Sequence, residues 1–299
     1  MTVVIKVGGA RAVDPAGALA DVASLVADGD RVVVVHGGST KVDETLERLG
    51  VEPEYVETPS GVVGRFTDET TMEVFEMAFG HLNTQLVAGL QSEGVDAVGL
   101  NGVDGKLLYG PRKSAVRVVE DGTKKIRRGD HSGTIKQVNG DLLETLLGDG
   151  YTPVAAPPMA GSEARSASED SSGDEPREQI IPVNTDADRS AAAIAGELDA
   201  QLVLLTDVEG VYADPEDPST LIESVETAAD WDALEDAAEG FMGRKIMAAE
   251  EALDGGAPEV VVADANAAEP ILSALDGGGT HVHASALEQD TDQTATEEQ

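Results

Sequence analysis

The chain has no cysteine, only 3% aromatic residues, and 20 lysines and arginines against 57 aspartates and glutamates. Without thiols there is no disulfide framework and no thiolate metal site. Few aromatics leave little to stack on bases, and a net charge of -37 repels a phosphate backbone, which argues against nucleic-acid binding. Apolar runs such as Val32–Val35 and Leu202–Leu205 are far shorter than the roughly 20 residues of a membrane span. No export signal opens the sequence, and with the missing cysteines this makes a cytoplasmic location the expectation. The histidines His81, His131, His281 and His283 lack the company that a metal site needs.

What is present is a globular composition, 41% hydrophobic over 299 residues, with a pI near 4.1. Such acidity makes a compact state repel itself unless salt screens it. In molar salt the Debye length falls to about 3 Å, so the composition reads as that of a halophile. Short apolar strands alternate with amphipathic helices. Val3–Val7 ends in a Gly pair, a helix follows over Ala16–Ala27, and Arg31–Val35 ends in His36-Gly37-Gly38-Ser39. Further strands are expected over Ala97–Leu100, Thr152–Ala155, Leu202–Thr206 and Glu259–Val262. Helices are expected over Asp68–Glu93, Gly140–Leu147, Asp188–Leu198, Lys245–Asp254 and Pro270–Leu275. This order predicts an α/β fold, a three-layer αβα sandwich with a mostly parallel sheet. Residues 162–179 and 286–299 are acidic, lack periodicity and read as a disordered insertion and tail.

Eight of the 20 cations fall between Lys106 and Arg128, where the pattern shifts to period two around Asp121-Gly122. That spacing predicts a basic β-hairpin. Its Arg112, Lys113, Arg117, Lys124, Lys125, Arg127 and Arg128 would face an acidic partner larger than a metabolite.

Gly8, Gly9, Gly37 and Gly38 follow adjacent strands, where main-chain N–H groups can approach phosphate closely. Neither pair continues into a P-loop. Lys6 lies inside an apolar strand and needs an anion. Lys245 stands at the expected start of a helix, where the dipole disfavours a cation unless a ligand offsets it. In Asn184-Thr185-Asp186-Ala187-Asp188, helix capping explains Asp188 better than Asp186.

The set Lys6-Val7-Gly8-Gly9, His36-Gly37-Gly38, Arg65-Phe66-Thr67-Asp68, Gly99-Leu100-Asn101-Gly102, Asn184-Thr185-Asp186, Leu205-Thr206-Asp207-Val208 with Gly210-Val211, and Gly243-Arg244-Lys245 resembles the amino acid kinase family. The chain is most similar to its carboxylate kinases, which implies ATP-dependent formation of an acyl phosphate. By that resemblance Lys6 and Lys245 would stabilise the transferring phosphoryl group and Asp186 would orient them. Gly8 and Gly9 would meet phosphate; Gly37, Gly38, Ser39, Arg65 and Asn184 would hold the acyl substrate. Thr206, Asp207, Gly210, Val211 and Phe241 would line the ATP pocket, with Mg²⁺ carried by the nucleotide. It further implies a homodimer, and one kinase domain over 1–285, with a substrate lobe at about 1–183 and an ATP lobe at about 184–285.

Two branches remain open. One acts on free N-acetylglutamate; the other acts on glutamate or 2-aminoadipate held by an acidic, LysW-like amino-group carrier protein, in arginine or lysine biosynthesis. Ser39, where free-substrate enzymes usually have a third glycine, Pro182 in place of an Asn, and the basic segment favour the carrier. A silent sensor is disfavoured, since both lysines and Asp186 are retained.

Overall fold

The computed structural model describes residues 1–8, 16–59, 61, 63–120, 122–164, 178–238 and 240–288. In chain order the elements are β1 (Thr2–Val7), α1 (Ala16–Ala27), β2 (Arg31–His36), α2 (Ser39–Arg48), β3 (Tyr55–Glu57), β4 (Val63–Arg65), α3 (Glu69–Ser92) and β5 (Ala97–Gly102). Then come β6 (Leu108–Glu120), β7 (Thr123–Gly133), β8 (Gln137–Val138), α4 (Gly140–Gly148), β9 (Thr152–Ala164), β10 (Glu178–Val183), α5 (Ala187–Glu197) and β11 (Gln201–Thr206). The chain closes with β12 (Ser224–Val225), α6 (Ala228–Ala237), α7 (Phe241–Asp254), β13 (Glu259–Asp264), α8 (Pro270–Leu275) and β14 (Thr280–His283).

The main sheet runs β12-β14-β13-β11-β1-β2-β9-β6-β7, and its central pairings are parallel. Its central strands β1, β2, β11 and β13 are mostly apolar because both faces are covered. Val4, Val33, Leu202, Leu204 and Val262 pack with Ala191, Ile194, Ala248 and Ala252 of α5 and α7. Val3, Ile5, Val34, Leu205 and Val261 face the other way, against Val22 and Leu25 of α1 and Ile271 of α8. Each such side chain, fully buried, contributes roughly 1.5–3 kcal/mol. A third cluster joins α2 and α3 through Val42, Leu46, Met72, Phe75 and Phe79. The α/β sandwich expected from the sequence is therefore present. Asp21, buried on α1, accepts hydrogen bonds from the N–H groups of Ile271 and Leu272, at 2.7 and 3.2 Å, and so caps α8.

Strand β9 changes partners along its length. Up to Ala156 it lies between β2 and β5; beyond Pro157-Pro158 it pairs with β6 and with β10. The expectation of a disordered insertion over 162–179 is corrected at its two ends only. Residues 162–164 and 178–179 are strand, paired Glu178 with Ala164 and Gln179 with Glu163, whereas 165–177 lie outside the described residues. The expected tail is corrected likewise, since residues 284–287 form a 3₁₀ turn with Ala286 buried, while 289–299 lie outside the described residues.

Candidate active site

Lys6 is on β1 and shares a sheet face with Val4, so its side chain points at α5 and α7 rather than at α1. There its Nζ lies 2.6 Å from Asp188 Oδ1, and Lys245 Nζ lies 3.2 Å from Asp188 Oδ2. All three groups are nearly or fully enclosed. Burial pushes the Asp188 carboxyl up, but the two ammonium groups outweigh it and hold it below the ordinary carboxylate range. Burial, then the charge of Lys6, pushes Lys245 down, and Asp188 only partly offsets this.

The carboxylate between the lysines is thus Asp188, not Asp186 as expected. Asp186 caps α5, with Oδ1 accepting from the N–H groups of Asp188 and Arg189 at 2.8 and 3.1 Å, although its charge still reaches Lys245. Position two of the first helical turn faces the sheet here, and the capping logic alone gave no hint of it. Helix α7 begins at Phe241, four residues before the expected start, which puts Lys245 in its second turn.

At the ends of β1 and β2, the Gly37 N–H donates to Val7 O at 3.3 Å, so Gly8 and Gly37 lie side by side; Gly9 is outside the described residues. Helix α3 presses on this corner. A Cβ at Gly38 would stand 2.8 Å from Leu82 Cδ1 and 3.0 Å from Phe79. His36 is buried, its Nδ1 3.0 Å from Gly37 O and its Nε2 3.2 Å from Asn83 Nδ2. The amide as donor fixes an Nδ1–H neutral tautomer, and burial drives the imidazole pKa down to about 4 against the raising effect of the Gly37 bond. Asn83 also reaches Val154 O at 2.9 Å, tying α3, β2 and β9 together. Sequence reasoning missed it, because a lone Asn on a long helix carries no signal.

The segment after β4 joins the remaining substrate candidates. Arg65 Nη2 donates to Ser39 O and to the Tyr55 hydroxyl, both at 3.0 Å. Asn184 Nδ2 donates to Thr67 Oγ1 at 2.9 Å, and its N–H donates to His131 O at 2.7 Å. Buried Asp130 accepts from Thr67 N–H at 3.3 Å and from the Ser132 hydroxyl, fastening the base of β7 to the same segment.

On the opposite side, Thr206 ends β11, with its hydroxyl 3.2 Å from Asp207 Oδ1. Val211 N–H donates to the buried Thr280 Oγ1 at 2.8 Å, and Gly210 packs against the same threonine. Phe241 is the first residue of α7. Thr206 thus ends the strand next to Lys6, and Gly210 and Val211 lie against Thr280 of β14.

Strands β6 and β7 pair antiparallel from Ala115 with Arg128 to Glu120 with Thr123; Gly122 takes φ 71° at the turn, and Asp121 is outside the described residues. The cations divide between two faces. Arg127 lies over the Phe66 ring at 4.0 Å and pairs with Glu54, Arg112 pairs with Glu163 at 2.9 Å and donates to Asp130 O, and Lys125 pairs with Glu120 at 2.8 Å. These are anchors of the hairpin to the body or to itself. Arg117, Lys124 and Arg128 share the other face with Ile126, which is 68% exposed. They and exposed Lys113 form no ion pair among the described residues.

No helix among the described residues is long and apolar enough to cross a membrane. The family model for the amino acid kinase family matches residues 1–264. LysW-aminoadipate kinase of Deinococcus radiodurans is 42% identical over 94% of this chain and 91% of its own length. The acetylglutamate kinase of Methanopyrus kandleri is 39% identical over 93% of this chain and 99% of its own. Among solved structures, N-acetylglutamate synthase from Neisseria gonorrhoeae superposes with a TM-score of 0.72 at 25% identity, over 94% of this chain and 59% of that longer one. By motif order, sheet and these matches, the chain belongs to the amino acid kinase family.

Proposed function

We propose that this protein transfers the γ-phosphoryl group of ATP to the side-chain carboxylate of glutamate or 2-aminoadipate carried by an acidic amino-group carrier protein. A carboxylate oxygen attacks the γ-phosphorus in line, the bond to the ADP oxygen breaks, and an acyl phosphate and ADP result. The convergence of Lys6 and Lys245 on one buried carboxylate carries the reading. Three charges sum to one positive charge fixed in a largely enclosed site, near the glycines that follow β1 and β2. That arrangement offsets charge on a transferring phosphoryl group without reorganisation. Mg²⁺ enters with ATP as part of the substrate.

The outward face of the hairpin supports the carrier as partner. Three cations with no ion pair among the described residues, around an exposed isoleucine, suit an acidic protein with an apolar spot better than they suit a free amino acid. Of the seven expected docking residues, Lys113, Arg117, Lys124 and Arg128 are the ones left available, and Arg112, Lys125 and Arg127 serve the hairpin itself. The homodimer and the division into lobes near residue 183 rest on the family resemblance; sedimentation and limited proteolysis test them.

The deciding experiment is ATP turnover in molar KCl with glutamate or aminoadipate on the carrier, compared with free N-acetylglutamate. Turnover confined to the carrier-linked substrates supports this reading. Efficient turnover of N-acetylglutamate would make the chain a free-substrate enzyme, and no turnover of any would leave it a sensor.

A further inference from the structure

The family resemblance gives Arg65 a place on the acyl substrate, at its α-carboxylate, yet here its guanidinium already has an anion. Arg65 Nη2 is 2.9 Å from Asp43 Oδ1, and the Arg65 side chain is only 6% exposed. Tyr55 completes the clasp, donating its hydroxyl proton to Asp43 Oδ2 at 2.8 Å with its ring 5.5 Å from the guanidinium carbon.

The clasp is incomplete. Asp43 Oδ1 is close to the guanidinium but off its N–H directions, so it makes an ion pair without a hydrogen bond, and the buried Arg65 Nε–H has no hydrogen-bond partner among the described residues. A buried N–H without an acceptor is unfavourable, because it has given up water for nothing. A carboxylate arriving in the plane of the guanidinium would take Nε, and Nη2 as well once one of its present acceptors, Ser39 O or the Tyr55 hydroxyl, gives way, making the bidentate pair that arginine favours. Asp43 has somewhere to go, since its side chain is 25% exposed and keeps the Tyr55 hydroxyl on its other oxygen.

We propose that Asp43 is a displaceable counter-ion for Arg65, which the substrate's α-carboxylate must push aside in order to bind. This inference rests on the proposed role of Arg65. Its consequence is selectivity. A ligand with a neutral group at that end gains too little to open the clasp, and a small anion that meets only one N–H gains no more than Asp43 already supplies. The apparent affinity of the true substrate is lowered by the fraction of molecules with the clasp closed.

Steady-state kinetics tests it, with carrier-linked glutamate or free N-acetylglutamate, whichever the wild-type enzyme turns over. Arg65→Ala should raise KM by tenfold or more. Asp43→Asn should lower KM about five- to tenfold with a far smaller change in kcat, because roughly nine-tenths closed clasps would then open. Asp43→Ser should do the same by removing the carboxylate another way, and Asp43→Glu should restore a KM near that of the wild type. A KM that rises in Asp43→Asn and Asp43→Ser would make Asp43 a support that orients Arg65, and an unchanged one would remove it from binding; either overturns the inference alone. An Arg65→Ala enzyme with normal KM would instead remove the role of Arg65 on which it stands.

Discussion

Asp188 sits between two ammonium groups, and its neighbour two residues earlier holds the helix end, so the two carboxylates should respond differently to the same change. Asp188→Asn removes the charge that holds Lys6 and Lys245 in place; a misplacement of about 1 Å costs roughly a hundredfold, and kcat should fall by at least that. Asp188→Ala should also lower stability by about 3–5 kcal/mol, read from urea unfolding, because two buried cations lose their partner. Asp186→Asn keeps a good cap and should be close to neutral in stability, while Asp186→Ala should cost about 1 kcal/mol. If Asp186→Asn abolished turnover and Asp188→Asn did not, the roles would be reversed. His36 gives a pH signature. Its folded pKa, about 4, lies below its unfolded 6.5, so the unfolded chain binds the extra proton. Stability is full above pH 6.5 and declines as the pH falls towards 4, by up to about 3 kcal/mol. His36→Gln should flatten the stability curve across that window, and an unaltered slope would place the titrating group elsewhere. At this scale the sequence reported identities better than duties. Lys6 stood out because a charge in an apolar strand is anomalous, whereas Asp188, Asp43 and Asn83 are ordinary residues made special by what faces them.

The hairpin β6–β7 has an inner face that anchors and an outer face without ion pairs among the described residues, which separates two kinds of arginine. Reversing Arg117 and Arg128 to Glu should raise KM for the carrier at least tenfold and leave KM for ATP within about twofold. Arg127→Glu should instead loosen the hairpin by setting like charges against Glu54 and stripping the cation from Phe66, visible as faster amide exchange over β7. Equal effects of both variants on carrier KM, with no change in exchange, would undo that division. The hairpin was legible because alternation and Asp-Gly act over neighbouring residues. Strand β9 was not. Only Thr152–Ala155 of it was expected, and Pro157, Pro158 and Gly161 look like breakers, yet the strand runs on to Ala164 because it exchanges ladder partners near the proline pair, where missing N–H groups cost least. Strand β10, its antiparallel partner, was hidden at the edge of an acidic stretch whose composition masks the few apolar residues that pair. Helix α2, apolar only at Val42 and Leu46 on its buried side, shows the same weakness of a short pattern.

For the whole molecule, a net charge of -37 spread over the surface is the largest single unfavourable electrostatic feature. The proposal of a halophilic protein predicts that Tm rises steadily from dilute buffer to molar KCl, and a protein most stable without salt would contradict it. The buried Lys6, Asp188 and Lys245 group is shielded from that salt, so kcat should depend on KCl less than carrier KM does once the fold is saturated. The sheet order carries a further consequence, for synthesis. Strand β1 lies in the middle of the sheet, with β2 on one side and β11 on the other, and β11 is formed by residues 201–206. Helix α1 likewise caps α8 across some 250 positions, through Asp21. As the chain leaves the ribosome, β1 and β2 can pair early, but the second edge of β1 stays open until two-thirds of the protein has been made. An open valine-rich edge is a site for pairing with the wrong chain, and the late arrival of its partner makes folding slow. The chain's overall negative charge opposes such pairing between nascent chains during the wait.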